Sequence, residues 1–206
     1  MAESFSLIIP PSWFELELRP ARRDDVIKDL VNERVGSIPE LREHRGEITR
    51  ILRKYAKSAW DSGARYATGF AIPTDELTIT GCVTVTNLPF PQKGEDDPVA
   101  SIAERLSTIA PEPGEETFTS VTIVELDGIG PCARTFGIED VHAPDGRGWI
   151  RTVTMQTFVP TPEGNLLLVS AASPDIDLSE DLLELFDTVT STLTVIHLDE
   201  TDEVLA

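Results

Sequence analysis

Between residues 119 and 172 the chain holds four segments rich in β-branched and alternating residues, around Thr119–Leu126, Cys132–Glu139, Trp149–Val159 and Asn165–Ala172. Only short turns join them, carrying Asp127-Gly128, APDGRG and TPEG, where glycine, aspartate and proline residues favour tight reversals. Parallel neighbours need a crossover of a dozen or more residues, so consecutive strands with such turns have to run antiparallel. Two earlier segments, RYATGFAI and LTITGCVTVTNL, are separated by PTDE and read as a hairpin feeding the same sheet. This run of strands restricts the chain to folds built on an antiparallel sheet.

The rest of the sequence supplies helices to cover that sheet. Phe5–Ile9 is a short apolar run stopped by Pro10-Pro11, and Phe14–Leu18 alternates with period two; the two are expected to form an opening hairpin. Residues 21–35 follow as a helix with Val26, Leu30, Val31 and Val35 on its apolar side, ended by Gly36 and Pro39. A second helix is expected from Pro39 to Asp61. Its apolar residues, Leu41, Ile48, Ile51, Leu52, Tyr55, Ala59 and Trp60, gather on one side at 100° per residue. After the loop PFPQKGEDDP, Asp97 is placed to cap a helix that has Pro98 in its first turn and Val99, Ile102, Ala103, Leu106 and Ile109 at helical spacing. Near the end, Asp177 and Glu180 have the spacing of a capping box, ahead of the stripe Leu182, Leu185, Phe186, Val189 and Leu193. The reading is an α+β protein: an antiparallel sheet with flanking helices, an α/β/α sandwich. Residues 1–196, including the helical pair 21–62, are expected to form a single domain, with an acidic tail at 197–206.

A chain of 206 residues suits one core, large enough to need neither metal nor disulfide for stability. Its two cysteines, Cys82 and Cys132, are expected to be buried free thiols. The N-terminal residues show no basic region followed by an apolar run, and no stretch approaches the roughly 18 apolar residues of a spanning helix. A cytoplasmic location is the expectation. Arginines outnumber lysines 13 to 4, as in high-GC bacteria.

Three features together resemble the PsbP-like fold superfamily. FSLIIPPSWFEL, Phe5 to Leu16, is a strand that ends at Pro-x-x-Trp and turns; the central meander follows; and SPDIDLSEDLLELFDTVTSTLTV, Ser173 to Val195, is a last strand feeding a helix and a short apolar segment. The resemblance implies an α/β/α sandwich and, since non-catalytic roles dominate the superfamily, an accessory subunit, binding factor or chaperone. It supplies no catalytic residues. The chain departs from the pattern in its long basic helical pair, residues 21 to 62.

The formal net charge is −19, but it is unevenly spread. Residues 19–65 hold twelve Lys and Arg against eight Asp and Glu, a balance of +4, leaving five against 28, or −23, for the rest. Nucleic-acid binding requires a basic footprint on phosphate, which the acidic bulk would oppose. The cations concentrate in REHRGEITRILRKYAKSAW: Arg42, Arg45, Arg50, Arg53, Lys54 and Lys57. Arg42, Arg50, Arg53 and Lys57 are expected opposite the apolar side. Such a face is either simply solvated or docks an acidic partner, which includes a second copy of this chain. Attachment to anionic lipid is disfavoured because the core is expected to use the apolar side.

No other pattern carries comparable weight. His44, His142 and His197 fall on the basic helix, in a turn and in the tail, and no two have metal-ligand spacing. DIDLSED alternates carboxylates, but its sixth and twelfth positions are Glu180 and Phe186, not the Gly and Glu of a calcium loop. Neither metal nor cofactor is implied, and neither cysteine sits in an electropositive context that would activate it. Thr78, Thr80, Thr84 and Thr86 share one strand face, and Thr152 and Thr154 another; they line either a ligand groove or an ordinary solvated sheet face. The expectation is a non-enzymatic adaptor, chaperone or accessory subunit of a bacterial assembly or secretion system. The alternatives are a small-molecule binder or enzyme using the threonine face, and a structural subunit of a larger particle.

Overall fold

A computed structural model of the chain describes residues 3–36, 42–74, 78–89, 98–109, 117–142, 148–162 and 164–197. The described strands are β1 (Glu3–Ser6), β2 (Phe14–Glu15), β3 (Ala64–Pro73), β4 (Thr78–Pro89), β5 (Thr117–Leu126), β6 (Gly130–His142), β7 (Trp149–Pro160), β8 (Asn165–Ser173) and β9 (Thr194–His197). The helices are α1 (Arg23–Gly36), α2 (Arg45–Asp61), α3 (Pro98–Thr108) and α4 (Ser179–Thr190). Strands β2 to β8 form one seven-stranded antiparallel sheet in the order β2-β3-β4-β8-β7-β6-β5, and β1 pairs with β9 in a separate two-stranded sheet. The fold is therefore α+β with a sheet flanked by helices.

Register decides which helix covers which face. Val83, Val85, Val153, Val159, Val169 and Ala171 point to one side, where they pack with Leu182, Phe186, Val189 and Leu193 from α4 and the residues after it. Phe186 is fully buried, a burial worth about 1.5–3 kcal/mol. On the opposite face Ala64 and Ala67 of β3 receive α1 and α2 through Ile27, Val31, Val35 and Ala56. Farther along that face α3 sets Val99 and Ile102 against Ala133 and Leu166. Helices thus cover both faces. No helix among the described residues is long and apolar enough to cross a membrane.

Several local expectations are corrected. The opening hairpin does not form: β1 runs to the C-terminal β9, with Phe5 opposite Val195, while β2 adds to the edge of β3, with Phe14 opposite Gly69. Pro10-Pro11 offers no backbone donors for a ladder, and the chain turns instead through the Trp13 amide on the Pro10 carbonyl. Trp13 then packs on Phe70, centroids 4.7 Å apart. That contact explains Gly81, since a Cβ there would lie 2.5 Å from the Phe70 ring.

Asp177 does not cap α4. It lies in a 3-10 turn, Ile176–Leu178, and the helix starts at Ser179 without a side-chain cap. Asp175 does the anchoring instead, accepting the Thr80 amide at 2.8 Å. The Asp97 cap lies outside the described residues. His197 belongs to β9, opposite Glu3, and not to a tail.

Candidate functional site

α2 packs on α1 through a face centred on Ala56, with Ile48, Leu52, Ala59 and Trp60 around it. This face is narrower than the apolar stripe in the sequence. Ile51 and Tyr55, expected in the core, stay 37% and 47% exposed. At 100° per residue they lie on the outward flank, where Lys54 is the neighbour of Ile51 at i+3.

The six cations divide into three sets. Arg45 and Arg53 reach toward α1, so Arg53, expected to face solvent, is half-buried and bonded to the neighbouring helix. Arg45 Nη1 donates to Asn32 Oδ1 at 3.0 Å, and Arg53 Nη2 donates to the Asp24 carbonyl at 2.6 Å, its Nε standing 3.6 Å from the Asp24 carboxylate. These two bonds bridge α2 to α1 beside the apolar contact centred on Ala56. Arg50, Lys54 and Lys57 face outward: Arg50 lies 3.9 Å from Glu47, and Lys57 pairs with Asp61 one turn on. Arg42 stands in the turn before the helix, its carbonyl 3.5 Å from the Arg45 amide. The surface left to solvent is an isoleucine–tyrosine pair beside three cations, two of them paired within the helix to the exposed carboxylates of Glu47 and Asp61.

Beyond the C-terminal end of α2 an open cleft of about 370 Å³ lies between the chain after β2, α1 and β3. Arg65 stacks over Trp60 there, its guanidinium carbon 4.5 Å from the ring centroid. On the cleft wall Tyr66 donates to Glu15 at 3.1 Å. Burial, with help from the Glu15 charge, pushes the Tyr66 phenol up to about 12. Arg19 holds Glu17 through two hydrogen bonds of 2.9 Å, which lower the Glu17 carboxyl to about 2.

The threonine face is only partly brought together. Cross-strand register places Thr84, Ser170, Gln156 and Thr135 in one row across β4, β8, β7 and β6, all half-buried. Cys82 and Thr154 flank Ala172 in the next row. Thr86, opposite Leu168, leads toward the patch under α3, and Thr78 and Thr80 run out along the β3–β4 hairpin. Thr152 and Thr154 are each only 5% exposed, so they do not line an open groove.

Cys82, expected to be buried, reaches solvent, although desolvation by the surrounding protein raises its pKa. Cys132 is buried, and burial pushes its thiol up to about 11. Neither is held as a thiolate nucleophile. The histidines stand on separate elements: His44 at the start of α2, 3.9 Å from Glu47; His142 at the end of β6, stacked on Trp149 at 3.9 Å; and His197 on β9. Among the described residues no three His, Cys, Asp or Glu side chains are grouped to hold a metal.

Sequence reasoning missed Ile27, Arg134 and the outward turn of Ile51 and Tyr55. Ile27 was legible, because with Val31 and Val35 it makes an i, i+4, i+8 row. Arg134, 4% exposed under α4, carried no local signal.

Comparison with solved structures finds distant similarity to several proteins. LpqN, involved in cell envelope biogenesis in Mycobacterium tuberculosis, matches at 13% identity and TM-score 0.46, over 95% of this chain and 85% of that one. Cyanobacterial PsbP (CyanoP) from Synechocystis sp. PCC 6803 matches at 13% identity and TM-score 0.36, over 66% and 88%. Likeness at this level carries no information about chemistry. No family description and no curated protein matches the sequence.

Proposed function

We propose that this chain is a non-enzymatic docking protein, an adaptor, chaperone or accessory subunit, that presents the outward face of α2 to an acidic protein partner. The observation that carries the reading is the exposed Ile51–Tyr55 pair set beside Arg50, Lys54 and Lys57 on a chain of net charge −19. Exposed ion pairs are worth about 0–1 kcal/mol each, so attraction to the protein's own acidic body is a weak reason to collect cations on one face. An aromatic and an aliphatic anchor beside Lys54 and the ion pairs Arg50–Glu47 and Lys57–Asp61 has the composition of a protein-binding hot spot. The cations would speed encounter and select against basic partners.

The test is affinity capture at low salt from the native cells, with three versions of the protein side by side: the unaltered chain, Arg50→Glu/Lys54→Glu and Ile51→Ser/Tyr55→Ser. Arg45 and Arg53 are left intact because they bond to α1. A stoichiometric acidic partner retained by the unaltered chain, released by salt and lost from both folded variants supports the reading. Recovery of the same proteins by all three versions refutes it.

A second reading rests on the half-buried polar row Thr84, Ser170, Gln156 and Thr135, whose hydroxyl and amide groups suit a small polar ligand. A ligand that survives purification and appears in native mass spectra would favour it over docking.

A further inference from the structure

The two edges of the seven-stranded sheet are finished differently. At one, β2 is only two residues long and follows Pro10-Pro11, features that blunt an edge against unwanted pairing. At the other, β5 spans ten residues, TFTSVTIVEL, paired with β6 along its whole length from Thr117 opposite Glu139 to Leu126 opposite Gly130. No described residue pairs with its outer side. The strand has no proline, glycine or lysine, and Glu125 is its one charge. Phe118 and Ile123 are 66% and 50% exposed and, by parity, lie on opposite faces of the sheet. A long, nearly neutral edge of high β propensity is a template for another strand.

We propose that β5 is an interface strand onto which the β5 of a second copy of this chain adds antiparallel, joining the two seven-stranded sheets edge to edge. Among the described residues the outer backbone groups of β5 meet no strand, an edge that an extended partner fits, and the strand itself has that form. A two-fold axis perpendicular to the sheet near Val121 keeps equivalent faces together. It sets Phe118 opposite Val124 of the second copy and Ile123 opposite Thr119, so each exposed apolar residue gains a cross-strand neighbour. In that register the two Glu125 carboxylates lie roughly 26 Å apart along the strands, well beyond the Debye length of about 8 Å. The obstacle is the overall charge, −19 on each copy. Self-association through β5 therefore strengthens as salt rises, the reverse of docking through α2, and it stands whether or not the α2 reading does.

Sedimentation velocity from about 1 to about 100 μM, at low and at high salt, tests this together with hydrogen exchange. The expected result is a dimer fraction that grows with concentration and with salt, and slowed exchange of the Thr117–Leu126 amides as it grows. Phe118→Lys/Ile123→Lys, with an unchanged melting temperature, is expected to stay monomeric throughout, while Arg50→Glu/Lys54→Glu dimerises as the unaltered chain does. If that lysine pair does not fold, the exchange of the unaltered chain decides alone. A monomer at every concentration in high salt overturns the proposal. So does a dimer whose β5 amides exchange as fast as the monomer's, or one that the lysine pair leaves intact. Protection of β5 only when a different protein is added would also overturn it, assigning the edge to a foreign strand.

Discussion

Arg134 gives the sharpest energetic prediction. It rises from β6 beneath α4, where its Nε donates to Thr157 Oγ1 at 2.9 Å and its Nη1 pairs with Asp187 of α4. Its side chain is 5% exposed, whereas that of Asp187 is 53% exposed, and its buried Nη2 has no hydrogen-bond partner. Asp187→Ala removes the one charge paired with Arg134 among the described residues and leaves a desolvated guanidinium with the neutral Thr157 acceptor. Breaking a fully buried pair costs about 3–5 kcal/mol. Water reaches Asp187, so a loss of about 2–3 kcal/mol is expected, or roughly 5–10 °C in melting temperature for a chain of this size. The sign of the next step is more diagnostic. Arg134→Met in the Asp187→Ala background removes the stranded charge and fills the same space with apolar atoms, which should return at least about 1 kcal/mol. Urea denaturation followed by far-ultraviolet circular dichroism, with constant m-values, measures both steps. If the double variant is no more stable than Asp187→Ala, Arg134 is not a charge held by that carboxylate, and the reasoning fails.

Gly81→Ala should cost about 1–3 kcal/mol by driving a Cβ into the Phe70 ring, with less than additive loss when combined with Phe70→Leu; equal losses in both backgrounds in urea denaturation would count against the contact. A thiol reagent should modify one cysteine in the native protein and two in urea, and Cys82→Ser should abolish the native reaction, since Cys82 reaches solvent and Cys132 does not. Because the Tyr66 phenol is raised to about 12, mainly by burial, its contribution to stability is complete below pH 10 and is lost as pH rises toward 12; Tyr66→Phe should remove the late step of the ultraviolet phenolate titration. Glu17 runs the other way: its carboxyl is lowered to about 2 by Arg19, so its contribution is present above about pH 4.5 and lost as pH falls toward 2. Acid denaturation curves of the unaltered chain and Glu17→Gln should therefore converge at low pH.

The sequence by itself determined the parts governed by local period and by turn chemistry. Strands β5 to β8 were placed within a few residues because alternation and the glycine-bearing turns leave a short antiparallel meander as the economical solution. The cations of α2 were found because 3.6-residue periodicity sorts side chains by face. What periodicity cannot set is how much of a face a neighbour covers. Ile51 and Tyr55 belong to the apolar stripe, yet the width of α1 leaves them outside the contact, and the same crossing brings Arg45 and Arg53 within reach of Asn32 and Asp24. Thr152 and Thr154 show the same limit in the sheet: alternation fixes their side of β7, and only tertiary packing buries it. The pairing of Phe5 with Val195 lay furthest from sequence reasoning. Between residues so distant along the chain no local pattern marks the partner, and that contact forms because β1 and β9 both pack on the core at one side of the sheet.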